Sequence, residues 1–358
     1  MKRIIYIILV ASICISCTST TDDSIESISI DVTTNSSLTD FIANEHTIQL
    51  ETNDDCLISN INKLCIDPEY LYIMDNTNQK IFIFDYNGEF ISKIDSHGNG
   101  PGEYIDLTDI SVCNKHVYVL SRANKSIYVY SNDGTYKKKI DLNDWYHRLN
   151  VTNDYIMLYS CKSNQQFYDI VTIDHKGNVV RKDFPFAKNE SFVFNINPFN
   201  TFSNEEYLLS FPYERRVALL NSIGCDYKYK FNFNTEVNFT DKEMDELGYE
   251  EIRNRSLYKE ALKQIDCITK IDDETFLMIV TIFFKERGLR KVLVKTDISK
   301  QFSKIFVLGD VNDKDFPLFY DPICINGDKI YCITSNTDNS KNSEELNPCI
   351  GIYLINKN

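Results

Sequence analysis

The chain is short of basic residues, of long apolar runs, of histidine and of tryptophan, and each shortage excludes something. Its 358 residues carry 38 Lys and Arg against 52 Asp and Glu, a formal charge of −14. A chain this acidic lacks the basic stripe needed to neutralise phosphates, so nucleic acid is excluded as a partner. The apolar run Ile4 to Ile13 falls well below the roughly 20 residues of a membrane-spanning helix. Only five histidines are present, His46, His97, His116, His147 and His175, and none forms an HExxH pair. No GxSxG elbow and no phosphate-binding loop occurs. Beyond Cys17 there is no CxxC, so thiol-based metal and redox motifs are missing. Trp145 is the single tryptophan, which weighs against a tryptophan platform for sugars, although tyrosine can substitute.

What the chain does have is aromatic and β-branched residues arranged in a repeat. It holds 22 Phe and 22 Tyr in a composition that is 43% hydrophobic, ample for a core and suited to strands. The stretch from Leu64 to Tyr104 reads as short apolar runs separated by turn chemistry. Shifted along by one repeat, Tyr70-Leu71-Tyr72-Ile73 falls on His116-Val117-Tyr118-Val119, Asn78 on Asn124, Ile81 on Ile127, Gly88 on Gly134 and Phe90 on Tyr136. One constant offset serving so many landmarks marks a structural repeat. Each unit reads as strand A, strand B, a polar turn, strand C, an Asn-Gly or Asp-Gly turn, and strand D. Asn87-Gly88 and Asp133-Gly134 predict two-residue hairpins with positive φ at both central residues.

Weaker copies of the A–B hairpin begin at Val151-Thr152, Phe202-Ser203, Ile271-Asp272 and Ile325-Asn326, joining those at Ile66-Asp67 and Val112-Cys113 to make six units. The last unit ends at GIYLINKN, one strand short, while Thr47 to Glu51 is an unassigned strand ahead of the first unit. One missing strand and one spare predict a closed ring, which removes exposed sheet edges. The fold expected is all-β: a six-bladed propeller of four-stranded antiparallel blades over residues 46–358, its last blade completed by the N-terminal strand. Residues 240–265 interrupt the pattern and read as a helical insertion after blade four, opened by a capping box at Thr240 and Glu243 and broken at Gly248.

The N-terminus reads as an export signal over residues 1–16, with Lys2-Arg3 ahead of the apolar run. It ends in Cys14-Ile15-Ser16-Cys17, which resembles a bacterial lipobox with Cys14 where leucine is usual. That resemblance implies lipidation of Cys17, with residues 17–45 as a flexible tether to a membrane. Nine further cysteines cannot pair completely; most are expected to be core packing.

The lipobox, the repeated strand plan and the loop Gly98-Asn99-Gly100-Pro101-Gly102-Glu103-Tyr104 together resemble the six-bladed β-propeller lipoproteins of Bacteroidetes bacteria. More distantly they resemble NHL-like and TolB-like propellers. The resemblance implies the fold and an address in the cell envelope, anchored at the outer membrane on its periplasmic or surface side. It carries over no catalytic residues. In a propeller the D-to-A crossings and the B–C turns share one face, which would gather His97, Glu103 and Tyr104 near Asp75, Asn78, Arg122 and Asn124 as a ligand face. The glycine-rich loop is equally readable as a structural crossing, and that reading is favoured.

The recurring Asp67, Asp272 and Asn326 sit where strand A ends, which suits solvated turns better than a channel metal. Asp310, Asp313 and Asp315 form an acidic cluster without the glycine and terminal glutamate of an EF-hand loop. No cofactor is therefore expected, with calcium the one ion left open. The function expected is a non-enzymatic binding or scaffold module for a protein, peptide or glycan. The alternative is a metal-dependent propeller hydrolase or lyase with a divalent cation in its channel.

Overall fold

The computed structural model describes residues 25–33, 36–190, 197–203, 206–221, 224–299, 302–308, 321–334 and 346–356. The expected signal segment, Cys17, the Asp310–Asp315 cluster and most of the polar loop after Thr334 lie outside them. The chain forms six four-stranded antiparallel blades around a central channel. Blade one holds β3 (Lys63–Ile66), β4 (Tyr70–Asp75), β5 (Lys80–Asp85) and β6 (Phe90–Ile94). Blade two holds β7 (Asp109–Cys113), β8 (His116–Ser121), β9 (Ser126–Ser131) and β10 (Tyr136–Asp141). Blade three holds β11 (Arg148–Val151), β12 (Tyr155–Tyr159), β13 (Tyr168–Asp174) and β14 (Val179–Pro185). Blade four holds β15 (Phe199–Thr201), β16 (Tyr207–Leu209), β17 (Arg216–Leu220) and β18 (Cys225–Phe233). Blade five holds β19 (Ala261–Lys270), β20 (Thr275–Phe284), β21 (Gly288–Asp297) and β22 (Phe302–Val307).

Blade six is β23 (Asp321–Asn326), β24 (Lys329–Thr334) and β25 (Cys349–Ile355), completed by β2 (Ile42–Gln49). The closing strand pairs antiparallel with β25 from Ile42↔Ile355 to Gln49↔Cys349. It begins several residues before the Thr47 to Glu51 segment that the sequence marks. Closure satisfies the edge of the last sheet, the physical reason for recruiting a distant strand.

Within the expected tether, residues 26–33 and 36–45 pack on the ring or pair with it. β1 (Glu26–Ile30) adds parallel to the outside of β18, and its alternate residues Ile28 and Ile30 are buried in a cluster with Phe231 and Phe233. Val32, Leu38 and Phe41 are buried as well. The polar appearance of this stretch hid a period-2 apolar face.

The C–D hairpins also differ from expectation. Gly88 and Gly134 have φ of +84° and +82°, but Asn87 and Asp133 are not in the left-handed region. The turns are one residue longer, each ending in a left-handed glycine with a bulge close by in the ladder. In blade one the Asp85 carboxylate stabilises this geometry by accepting from Asn87 N and Glu89 N, both at 2.9 Å. Glycine has a second duty here. A Cβ on Gly88 would meet the Gln49 carbonyl at 2.0 Å, and one on Gly134 the Lys93 carbonyl at 2.7 Å. Each turn thus presses its glycine on the outer strand of the preceding blade, where no side chain fits.

The insertion is shorter in helix than expected. It holds α1 (Asp241–Glu246), with the Thr240–Glu243 capping box formed, and α2 (Tyr249–Arg255), with Gly248 at its N-cap. Ala261, Leu262 and Ile265 belong to β19; their spacing fits either period over so few residues. The helices are packed on the ring: Met244 and Ile252 bury against Tyr213 and Phe239, and Tyr249 against Tyr159 and Cys161. Arg216, nearly buried in blade four, fixes them electrostatically, holding Glu214 Oε2 at 2.8 Å and Asp245 Oδ1 at 2.7 Å.

Candidate functional site at the channel mouth

Strand A of every blade lines the channel, and the face where these strands begin, here the upper face, also carries the D-to-A crossings and B–C turns. An open cavity of about 530 Å³ runs in from it, touched by all six blades. Lys63 is the first residue of β3 and Asp109 the first of β7, so equivalent positions of neighbouring blades carry opposite charges. Lys63 Nζ lies 2.8 and 3.0 Å from the two Asp109 oxygens. Asp109, 1% exposed, also accepts from Leu149 N in blade three at 2.9 Å. This single carboxylate therefore ties three blades together. Arg148, the first residue of β11, lines the cavity, as do Asp266 and Lys291 of blade five; Asp266 accepts from Thr281 Oγ1 at 2.6 Å.

His147 is buried beside this mouth. Burial, with the Arg122 and Arg148 guanidiniums near it, pushes its pKa down to about 4. Its Nε2 lies 2.9 Å from Ser163 Oγ, which has the outline of a nucleophile–base pair. The Ser163 hydroxyl donates instead to Ser160 O at 2.7 Å, so the imidazole must donate to Ser163. A base arranged this way cannot take the serine proton. Among the described residues no three His, Cys, Asp or Glu converge as a metal-holding group.

The residues singled out from the sequence fall into two groups nearer the rim. His97 Nε2 lies 2.9 Å from Ile105 O, and Glu103 Oε2 accepts from Gly100 N at 2.7 Å, closing the glycine loop on itself. Tyr104 is fully buried, donates to Gln79 O at 2.7 Å, and meets the rings of Tyr128 and Tyr130 edge-on. Asn124 Oδ1 accepts from Ile105 N at 3.3 Å, bringing it to this group. Asp75 and Asn78 pair with each other at 3.0 Å, and the Asp75 carboxylate also accepts from Ser59 N and Thr77 N. Arg122 donates its backbone N–H to Thr108 Oγ1. Nearly all these polar groups are spent on the scaffold. Asp67 and Asp272 likewise cap their own A–B turns through two backbone N–H groups each.

Sequence inspection missed Lys63, Asp109, Arg148, Asp266 and Lys291. The signal available was the repeat offset itself, which superimposes Lys63 on Asp109 and so opposes charges at one structural position. No disulfide joins the nine cysteines beyond Cys17; Cys56, Cys161, Cys332 and Cys349 are buried, and Cys65, Cys267 and Cys324 line the channel wall.

The upper face is raised on one side. The long strands of blade five and the insertion stand above it, and Leu257, Tyr258 and Leu289 there are 45%, 76% and 57% exposed. Tyr258 has φ of +57°, a conformation unusual for a bulky residue.

These features define a six-bladed β-propeller with an open, charge-paired channel mouth. A family model described as a domain of unknown function, DUF4934, matches residues 25–352, and the chain belongs to that family. It is similar to the crystal structure of a putative exported protein from Bacteroides fragilis. The two are 14% identical with a TM-score of 0.68, over 93% of this chain and 100% of that one. A member of the DUF4221 family from Bacteroides vulgatus is 11% identical with a TM-score of 0.55, over 88% and 97% of the two chains. At these identities the likeness is one of fold. No curated protein matches.

Proposed function

We propose that the chain is exported, anchored in the bacterial cell envelope by lipid on Cys17, and serves there as a non-enzymatic binding propeller. Its partner, a protein, peptide or glycan, sits on the upper face over the channel mouth. The observation that carries this reading is the pairing of charges in the mouth. Lys63 and Asp109 neutralise each other, so among the described residues the mouth offers a fixed pattern of hydrogen-bonding groups to a partner. The raised wall with exposed Leu257, Tyr258 and Leu289 adds apolar area of the kind that anchors interfaces. The likeness to a putative exported protein of B. fragilis supports the address. β1 begins nine residues after Cys17, so an anchored chain would hold blade four within ~30 Å of the bilayer.

Three measurements test this. Cys17→Ala should leave the membrane fraction and lose the mass of the lipid; unchanged fractionation with unchanged mass overturns the anchor. Photo-crosslinking in envelopes from a residue placed at position 258 should yield one adduct that disappears with Arg148→Glu. Cross-linking unaffected by Arg148→Glu removes the channel mouth from the interface. Stoichiometric calcium or zinc in purified protein would turn the reading toward a metal-dependent hydrolase or lyase.

A further inference from the structure

The interface between blades three and four is packed in its upper half and open in its lower half. Strand register explains how. On the side of blade three that faces blade four, Tyr159 pairs with Ile170 and Met157 with Thr172, and Thr172 in turn pairs with Arg181. On blade four Leu209 pairs with Ala218, and Tyr207 with Leu220. The upper row is filled, with Tyr159 and Ile170 clustered against Leu209, Ala218 and Phe211. In the lower row the β-branched, polar Thr172 replaces a large apolar residue, and a cavity of about 610 Å³ remains. It opens between Tyr155 and Val180, which are 36% and 53% exposed.

We infer that this opening is a binding site for a small uncharged ring carrying a hydroxyl group. Thr172 is only 5% exposed, lines the cavity, and its Oγ1 is buried without a hydrogen-bond partner. An orphaned hydroxyl of this kind is costly and calls for an occupant. A hydroxyl both donates and accepts, and so matches another hydroxyl in either sense. The flanks supply a ring's flat faces: Tyr155 and Tyr207 are aromatic, while Met157, Val180 and Leu220 are apolar. Charge is not wanted. The Arg181 charge is balanced by Asp183, whose Oδ2 accepts from Nε at 2.8 Å, while one Nη donates to Asn221 O at 3.0 Å, and Asp154 at the mouth repels anions. The volume lies within the range of small-molecule sites and well above that of a benzene-sized void. Phenols and pyranose sugars share this chemistry.

The test is saturation-transfer NMR and calorimetric titration of the whole ring with p-cresol, methyl β-glucoside and toluene. One of the two hydroxylated probes should bind saturably, with Kd on the order of 1 mM as befits a fragment, and toluene should bind roughly tenfold more weakly. p-Cresol binding alone assigns a phenolic ligand, and glucoside binding alone a sugar. Thr172→Val should bring the bound probe down to the toluene level. Val180→Trp, a change at the exposed rim that leaves the core intact, should abolish binding. Saturation by neither hydroxylated probe, or equal binding by wild type and Thr172→Val, overturns the proposal.

Discussion

The joint between blades one and two and the interface between blades three and four are built from the same strand plan and end in opposite states. At the first, Tyr104 drops from the crossing loop into the gap, and its hydroxyl, its backbone and its ring are all satisfied. At the second, the same gap is filled only in its upper half, and Thr172 is left with an unpaired hydroxyl. The difference teaches that equivalent strands need not close equivalent gaps. The first interface is completed by a residue delivered from the crossing loop, and the lower half of the second receives none.

The largest effect should come from emptying the filled joint. Tyr104→Ala removes a fully buried ring and strands the Gln79 carbonyl, and should cost about 3–5 kcal/mol. Thermal unfolding checks this. Tyr104→Phe keeps the ring and loses one hydrogen bond, so about 1 kcal/mol is expected; equal losses for the two variants would mean that the ring does not fill the joint. Next is the channel ion pair across the same joint. Asp109→Ala leaves Lys63 facing an uncompensated site and deprives Leu149 N of its acceptor, and should cost roughly 3 kcal/mol. The double variant Lys63→Met, Asp109→Leu should recover most of that loss, because it removes both charges together. A double variant as unstable as Asp109→Ala would show that the loss lies in packing.

Most of the ring was legible in the sequence because its signals are local and periodic. The offset that laid Tyr70–Ile73 on His116–Val119 reports strands and turns in the first two units, and weaker copies of their A–B hairpin marked the other four. Closure by an N-terminal strand followed from edge satisfaction. Two failures share one cause. Ile28 and Ile30 on β1, and Ala261, Leu262 and Ile265 at the insertion's end, are short patterns whose period cannot be fixed without knowing what they pack against. The site fared worse for a different reason. The glycine loop drew attention through its composition, yet Glu103 and Tyr104 serve the joint. Lys63, Asp109 and Arg148 meet only because the ring brings equivalent strand starts together, and such contacts lie one repeat apart in the chain.

Blade three offers a smaller test through pH, since two of its buried titratable groups, His147 and Asp169, push in opposite directions. The His147 pKa is pushed down to about 4 by burial. Between the unfolded value near 6.5 and 4, the unfolded chain therefore binds a proton that the folded one refuses, and stability present above that window is lost as pH falls through it. Burial pushes Asp169 up to about 6, so between 6 and its unfolded value the folded chain binds the extra proton and acidification stabilises it. Each contribution is of order 2 kcal/mol. On going from neutral to about pH 4, His147→Gln should lose less melting temperature than wild type, and Asp169→Asn should lose more. Parallel responses in the two variants would contradict the opposed burial effects.

The smallest effect carries the clearest sign. Every substitution at the filled joint should destabilise, whereas Thr172→Val at the open one should be neutral or stabilise the unliganded protein by up to about 1 kcal/mol, because it replaces a buried hydroxyl that has no partner with a methyl of similar size. Ligand-free melting distinguishes this outcome from the usual penalty for altering a buried strand residue. A loss of stability would mean that the hydroxyl is satisfied in the free protein, and with it would go the distinction between the two interfaces. A gain in stability accompanied by a loss of probe binding would establish that the lower half of the gap is held open, at a cost to the fold, for what binds there.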